Sequence, residues 1–209
     1  MESEYLKVLL RENPTVAERY RLKLKMINNE DPFTLNNQDL DYSTDLLPPV
    51  TYLDIVAYLT LTHSFYTKQQ MKAYKSLQSY KYFEAGFVLK AGTKLINDLC
   101  IFVGQVKHSQ KASQKAFNVW SIIAKDGSVL TAHCTCMAGN SEVCCRVGVI
   151  LCMAEFSIRK KKRYHAQMSF QDGICHRCQQ KCQLYVFKKL IRENRLLVHI
   201  ILAREIYHQ

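Results

Sequence analysis

Apolar residues fall at helical spacing from the start of the chain, at Tyr5, Leu6, Leu9 and Leu10, and Pro14 closes that run. The pattern predicts a helix over residues 3–12 and a second short one over 16–26. Residues 28–50, NNEDPFTLNNQDLDYSTDLLPPV, keep no period and are rich in Asn, Asp and Pro. They predict an extended loop or linker ending at Pro48-Pro49, in which Asp39, Asp41 and Asp45 serve solvation. Helical spacing resumes behind Thr51, a capping residue with Asp54 at the third position to accept the exposed amides. Leu53, Val56, Ala57, Tyr58 and Leu59 carry that mostly apolar helix to residue 61. Another is expected from Thr67, with Met71, Tyr74 and Leu77 on one side and Lys68, Lys72 and Lys75 pointing away.

The period changes at Tyr82. Segments 87–90, 99–106, 117–125 and 128–136 are rich in β-branched and aromatic residues, and turn formers such as Gly92, Asn97-Asp98 and Asp126-Gly127 separate them. Asp126-Gly127 predicts a tight hairpin with positive φ at both central residues. A small antiparallel sheet follows, with Trp120 and the tyrosines of 52–82 expected on one face. Its last strand leads to Cys134 and Cys136. A polar loop then reaches a helix capped by Asn140 or Ser141, with Val143, Val147, Ile150, Leu151 and Ala154 as its buried stripe. The fold class is α+β: N-terminal helices, a small antiparallel sheet, and a strand–hairpin–helix unit at 117–156. The chain divides into N-terminal helices and acidic linker (1–50), a helical lead-in, sheet and cysteine-rich unit (51–158), and a basic tail (159–209).

Composition sharpens this picture in two places. The chain has 209 residues and a formal net charge of +11. Residues 1–50 carry −3 and 126–158 carry −2, whereas 51–125 carry +7 and 159–209 carry +9. A mildly acidic centre between basic flanks is compatible with a polyanion partner. No apolar run is long enough to span a bilayer, and the acidic N-terminus does not read as a signal peptide, so the protein is expected to be intracellular and away from membranes. Arg159, Lys160, Lys161, Lys162 and Arg163 fit a nuclear-localisation or phosphate-contacting patch, and equally a solvated helix end.

Nine cysteines without an export signal are expected as free thiols or metal ligands. Cys134, Cys136, Cys144 and Cys145 stand within a dozen residues, as a strand end and a helix start would offer them to one zinc ion. Their alternative role is as ordinary buried cysteines. Cys175, Cys178 and Cys182, near His165 and His176, include one Cys-x-x-Cys element without a matching second pair, and read as chance clustering.

The stretch 128–156, with AHCTCMAG and then EVCCRVGVIL, resembles a SWIM-type zinc finger, whose pattern is Cys-x-Cys, a variable gap, and Cys-x-His at a helix start. Cys134, Cys136 and Cys144 occupy three ligand positions of that pattern. Arg146 stands where the pattern has histidine, and a guanidinium offers no lone pair to a metal. Cys145 is one substitute ligand; His133 and the tail cysteines are others. Residues 30–158 are further similar to animal proteins of mobile-element origin. In those proteins this finger precedes a phage-recombinase-type (YqaJ-like) nuclease domain. That resemblance stops at Phe156, so it implies a truncated front half without the nuclease. The residues themselves show no Gly-rich phosphate loop, no nucleophile elbow and no carboxylate cluster for a two-metal nuclease, so no enzyme is expected. What is expected is a zinc-binding module that contacts nucleic acid or protein, or a metal-free remnant of the same fold. No small-molecule substrate is expected.

Overall fold

The computed structural model describes residues 2–61, 78–108, 115–137 and 142–168, the last five by their backbone alone. Ser3 caps α1 (Glu4–Glu12) by accepting the Leu6 amide at 3.2 Å. Asn13 then caps α2 (Pro14–Lys25), so Pro14 both ends the first helix and opens the second. Between 26 and 51 the only helical turn among the described residues is a 3-10 turn at Pro32–Thr34. Thr51 and Asp54 cap α3 (Tyr52–Leu61) reciprocally: the Thr51 amide reaches Asp54 Oδ2 at 2.8 Å and the Asp54 amide reaches Thr51 Oγ1 at 3.4 Å. The buried stripe of α3 is Ile55, Tyr58 and Leu59, and Leu53 faces solvent. Residues 78–84 are helical and form α4. The expected helix start at Thr67, with Lys68, Lys72 and Lys75, lies outside the described residues; Asn140 and Ser141 do too, but residues 142–144 are not helical and the last helix begins at Cys145, so neither caps it.

Four strands follow in an antiparallel meander: β1 (Val88–Ile96), β2 (Leu99–Val106), β3 (Phe117–Ile123) and β4 (Val129–Cys134). The helix α5 (Cys145–Met168) closes the unit, and the fold is α+β as expected. Asn97 and Asp98, with φ of 51° and 61°, form the two-residue turn between β1 and β2. Two expectations about turns need correction. Gly92 is not a turn but a mid-strand residue opposite Val103, and β1 is accordingly twice as long as the apolar run suggested. The missing side chain there admits the Asp41–Thr93 bridge, since a Cβ would lie 3.3 Å from Asp41 O. At Asp126-Gly127 only Gly127 has positive φ (98°). The connection is a three-residue loop in which Gly127 N bonds Ala124 O and Ala124 N bonds Ser128 O, both at 2.9 Å. A type I turn ending in a left-handed glycine satisfies both bonds, with a bulge between Ile122 and Ile123.

Strand alternation sends the side chains to two separate cores. Cys100, Phe102, Val106, Val119, Ile123, Ala132 and Cys134 face α5, together with Ile55, Tyr58 and Leu59 of α3 and Phe83 of α4. Ile101, Trp120 and Ile122 face α1 and α2, packing on Leu6, Leu9, Tyr20, Leu24 and Ile27. Trp120 therefore does not share a face with the tyrosines of 52–82, as the sequence suggested: Tyr58 and Tyr82 lie with α5, and Trp120 meets Tyr20 edge-on at 5.8 Å.

Candidate metal centre

The meander and α5 bring three cysteines together. Cys134 is the last residue of β4 and points to the α5 side. The strand end is fixed through the next residue: Thr135 N donates to Asn118 O at 3.0 Å, and Asn118 N to Thr135 Oγ1 at 3.1 Å. The chain then bends so that the Cys136 amide approaches Cys134 Sγ at 3.5 Å. Cys144 immediately precedes α5, its carbonyl accepting from Gly148 N at 3.2 Å as the first turn closes. The sulfurs of Cys134, Cys136 and Cys144 lie within 4.8 Å of one another, and all three residues are buried. Sulfurs on a tetrahedral zinc are about 3.8 Å apart at a Zn–S bond of about 2.3 Å, so a small contraction makes three ligands of them. The donor set suits a thiophilic ion.

The electrostatics of the three are unequal. Hydrogen bonds from Cys134 and Cys144, and then the charge and hydrogen bond of Arg146, pull Cys136 down to about 3 against its burial. Burial, with hydrogen bonding to the other two sulfurs, pushes Cys134 well above the usual thiol range. Interaction with Cys134 lowers Cys144, but its interaction with Cys136 and its burial outweigh that and raise it. Arg146 lies on the first turn of α5, its guanidinium 4.1 Å from the centre of the Phe117 ring. Burial would lower its pKa, but the sulfurs of Cys136, Cys145, Cys134 and Cys144 outweigh that and raise it. Its Nε is buried without a hydrogen-bond partner. Position 146 therefore faces the cluster, but with a cation instead of a lone pair.

The other expected ligands are placed elsewhere. Cys145 is partly exposed and does not belong to the group of converging sulfurs. His133 neighbours Cys134 in sequence, and for that reason its side chain leaves the opposite face of the sheet, among Tyr5, Tyr20, Phe33 and Trp120. It is fully buried there and cannot complete the cluster. Cys175, Cys178 and Cys182 lie outside the described residues.

On that opposite face stands a polar network that no motif announces. Lys23 Nζ donates to Ala132 O at 2.9 Å, contacts His133 Nδ1 at 3.4 Å, and pairs with Glu142 Oε1 at 3.0 Å. Tyr5 Oη lies 2.9 Å from His133 Nε2. An ammonium at Nδ1 makes that atom the acceptor, so Nε2 carries the proton and donates to Tyr5. Both side chains of the ion pair are largely buried, 8% and 14% exposed. Burial lowers Lys23 to about 8, with Glu142 opposing. One sequence signal could have found Lys23. It lies on the stripe of Tyr20, Leu24 and Ile27, where a lysine needs a buried partner.

The basic run 159–163 continues α5. Arg159 pairs with Glu155 at 3.3 Å, and Lys161 with Asp45 at 3.0 Å and Thr44 O at 3.3 Å. Lys160 lies over the Phe156 ring, and Lys162 and Arg163 are exposed. No helix among the described residues is long and apolar enough to cross a membrane. Comparison with protein-family models, with curated proteins and with solved structures returns no match.

Proposed function

We propose that this chain is a non-catalytic, SWIM-type zinc-binding module whose basic end of α5 contacts a polyanion. The observation that carries the reading is the convergence of three buried cysteine sulfurs from a strand end, the bend after it and a helix start. A Cys-x-Cys pair at a strand end and Cys144 at a helix start stand in the order of the SWIM pattern, and Arg146 lies beside the sulfurs at the position where that pattern has histidine. Cys134, Cys136 and Cys144 would hold the ion. Bound zinc would supply cohesion between β4 and α5, since binding free energy at such a site is also folding free energy.

Zinc content and competition with a chromophoric chelator test this on the full chain. The expected result is about one zinc per chain, lost in Cys136→Ser and in Cys144→Ser. Arg146→His adds a neutral imidazole and removes a cation, and should tighten binding on the order of tenfold or more. A wild-type protein that takes up no zinc, and does not compete with the chelator, would leave a metal-free thiol cluster as the correct description. Equal affinity of wild type and Arg146→His would mean that another residue already completes the site.

A further inference from the structure

We infer that Lys23 and Glu142 form a clamp, built from α2, that positions both arms of the cysteine cluster for metal. This rests on the zinc reading above, and adds to it two residues that touch no metal. The Lys23 ammonium has three protons and a partner for each: Ala132 O, His133 Nδ1 and Glu142 Oε1. Ala132 lies two residues before Cys134, and Glu142 two residues before Cys144. A single buried cation from the N-terminal helices thus joins the strand that delivers two sulfurs to the segment that delivers the third. Its Nζ lies 5.9 Å from the centre of the Trp120 ring and the side chain is buried, so the lysine cannot swing to solvent without vacating a packed site.

Glu142 is held on two sides. Its side chain meets Lys23, and its carbonyl accepts from Tyr58 Oη of α3 at 3.0 Å. Its backbone has φ of 65°, the left-handed region that a residue with a Cβ enters only at a cost. Such a conformation persists where the surroundings over-determine it, and these two contacts do so. Releasing Glu142 would let the residue relax toward ordinary backbone, carrying Cys144 away from Cys134 and Cys136. Residues that orient ligands without binding metal typically change affinity by about 10–100-fold.

The test is the zinc affinity of the full chain by chelator competition, set beside the thermal midpoint of each metal-free protein. Glu142→Gln keeps the shape of the side chain and removes its charge, and Lys23→Met keeps the stem and removes the ammonium. Each is expected to weaken zinc binding about 10–100-fold. The double variant should be little weaker than either single one, because the two residues act as one pair. A purely structural pair would lower the metal-free midpoint and leave zinc affinity at the wild-type value, and that result overturns the inference. If Lys23→Met does not fold, Glu142→Gln decides, and wild-type affinity in it is fatal to the clamp. Wild-type protein that binds no zinc overturns the metal reading and the clamp together. Wild-type binding with unaltered variants overturns the clamp alone.

Discussion

His133 sits between a buried ammonium and a tyrosine hydroxyl, and burial, followed by the charges of Lys23 and Arg19, holds its pKa well below the usual imidazole range. The consequence for stability has a definite sign. Below about pH 6.5 the unfolded chain binds a proton at this histidine that the folded chain refuses. The folded state therefore loses stability as pH falls from 6.5 toward the folded pKa, by about 1.4 kcal/mol per pH unit for one such group. Urea midpoints of metal-free protein at pH 7, 6 and 5 should decline, and His133→Gln should decline less steeply, since glutamine offers a donor and an acceptor but takes no proton. Parallel declines in the two proteins would show that His133 is not the group responsible.

At the scale of elements, the position of α5 decides whether the sulfurs meet. The helix lies across all four strands and against α3. At Gly148, three residues into it, a Cβ would come 2.2 Å from Ser79 Oγ and 2.6 Å from Ser79 Cβ of α4, and 3.1 Å from a Leu59 methyl of α3. No rotamer of Ser79 relieves its own Cβ, so the helix itself must shift. Gly148→Ala is expected to cost about 1–3 kcal/mol, the range for overpacking a filled core, in spite of alanine's better helix propensity. Denaturant unfolding measures it, and Ser79→Gly in the same chain should recover part of the loss. A stabilised Gly148→Ala would mean that α5 has slack at this point, and that the cluster is held by less than close packing.

The whole molecule is a three-layer arrangement, α1 and α2 on one face of the sheet and α5 with α3 and α4 on the other. Its net charge of +11 is carried mainly outside the cysteine unit. Within 159–163, Arg159 pairs with Glu155 and Lys161 with Asp45, and Lys162 and Arg163 at the end of the run are exposed. If this end of α5 meets a nucleic acid, the contact is expected to be with phosphate, because Lys162 and Arg163 stand there as exposed cations. Binding to a short DNA duplex should weaken steeply with salt, and Lys162→Gln with Arg163→Gln should weaken it alike for unrelated sequences and flatten the salt slope. A sequence preference that survives moderate salt would contradict this, and absence of binding at low salt would remove nucleic acid as the partner.

Local chemistry made part of this legible in advance. Helix starts at Ser3 and Thr51, the Asn97-Asp98 turn, the strands and the Cys-x-Cys spacing each depend on a few neighbouring residues, whose preferences act over one turn or one pleat. The convergence of Cys134, Cys136 and Cys144 was legible for the same reason, since a strand end and the helix after it cannot be far apart. Three features depended on which distant surfaces meet. Gly92 looked like a turn because its use, admitting Asp41 to the sheet, involves a residue some fifty positions earlier. Trp120 and His133 were assigned to the wrong company because alternation says that neighbours diverge but not which layer receives each one. Lys23 and Glu142 stand more than a hundred residues apart, and nothing local pairs them. Only the packing of α2 on the far face of the sheet places an ammonium beside the segment that carries Cys144. That long-range choice, made by the burial of Tyr20, Leu24 and Ile27 against Trp120 and Ile122, was written nowhere in the spacing of the residues.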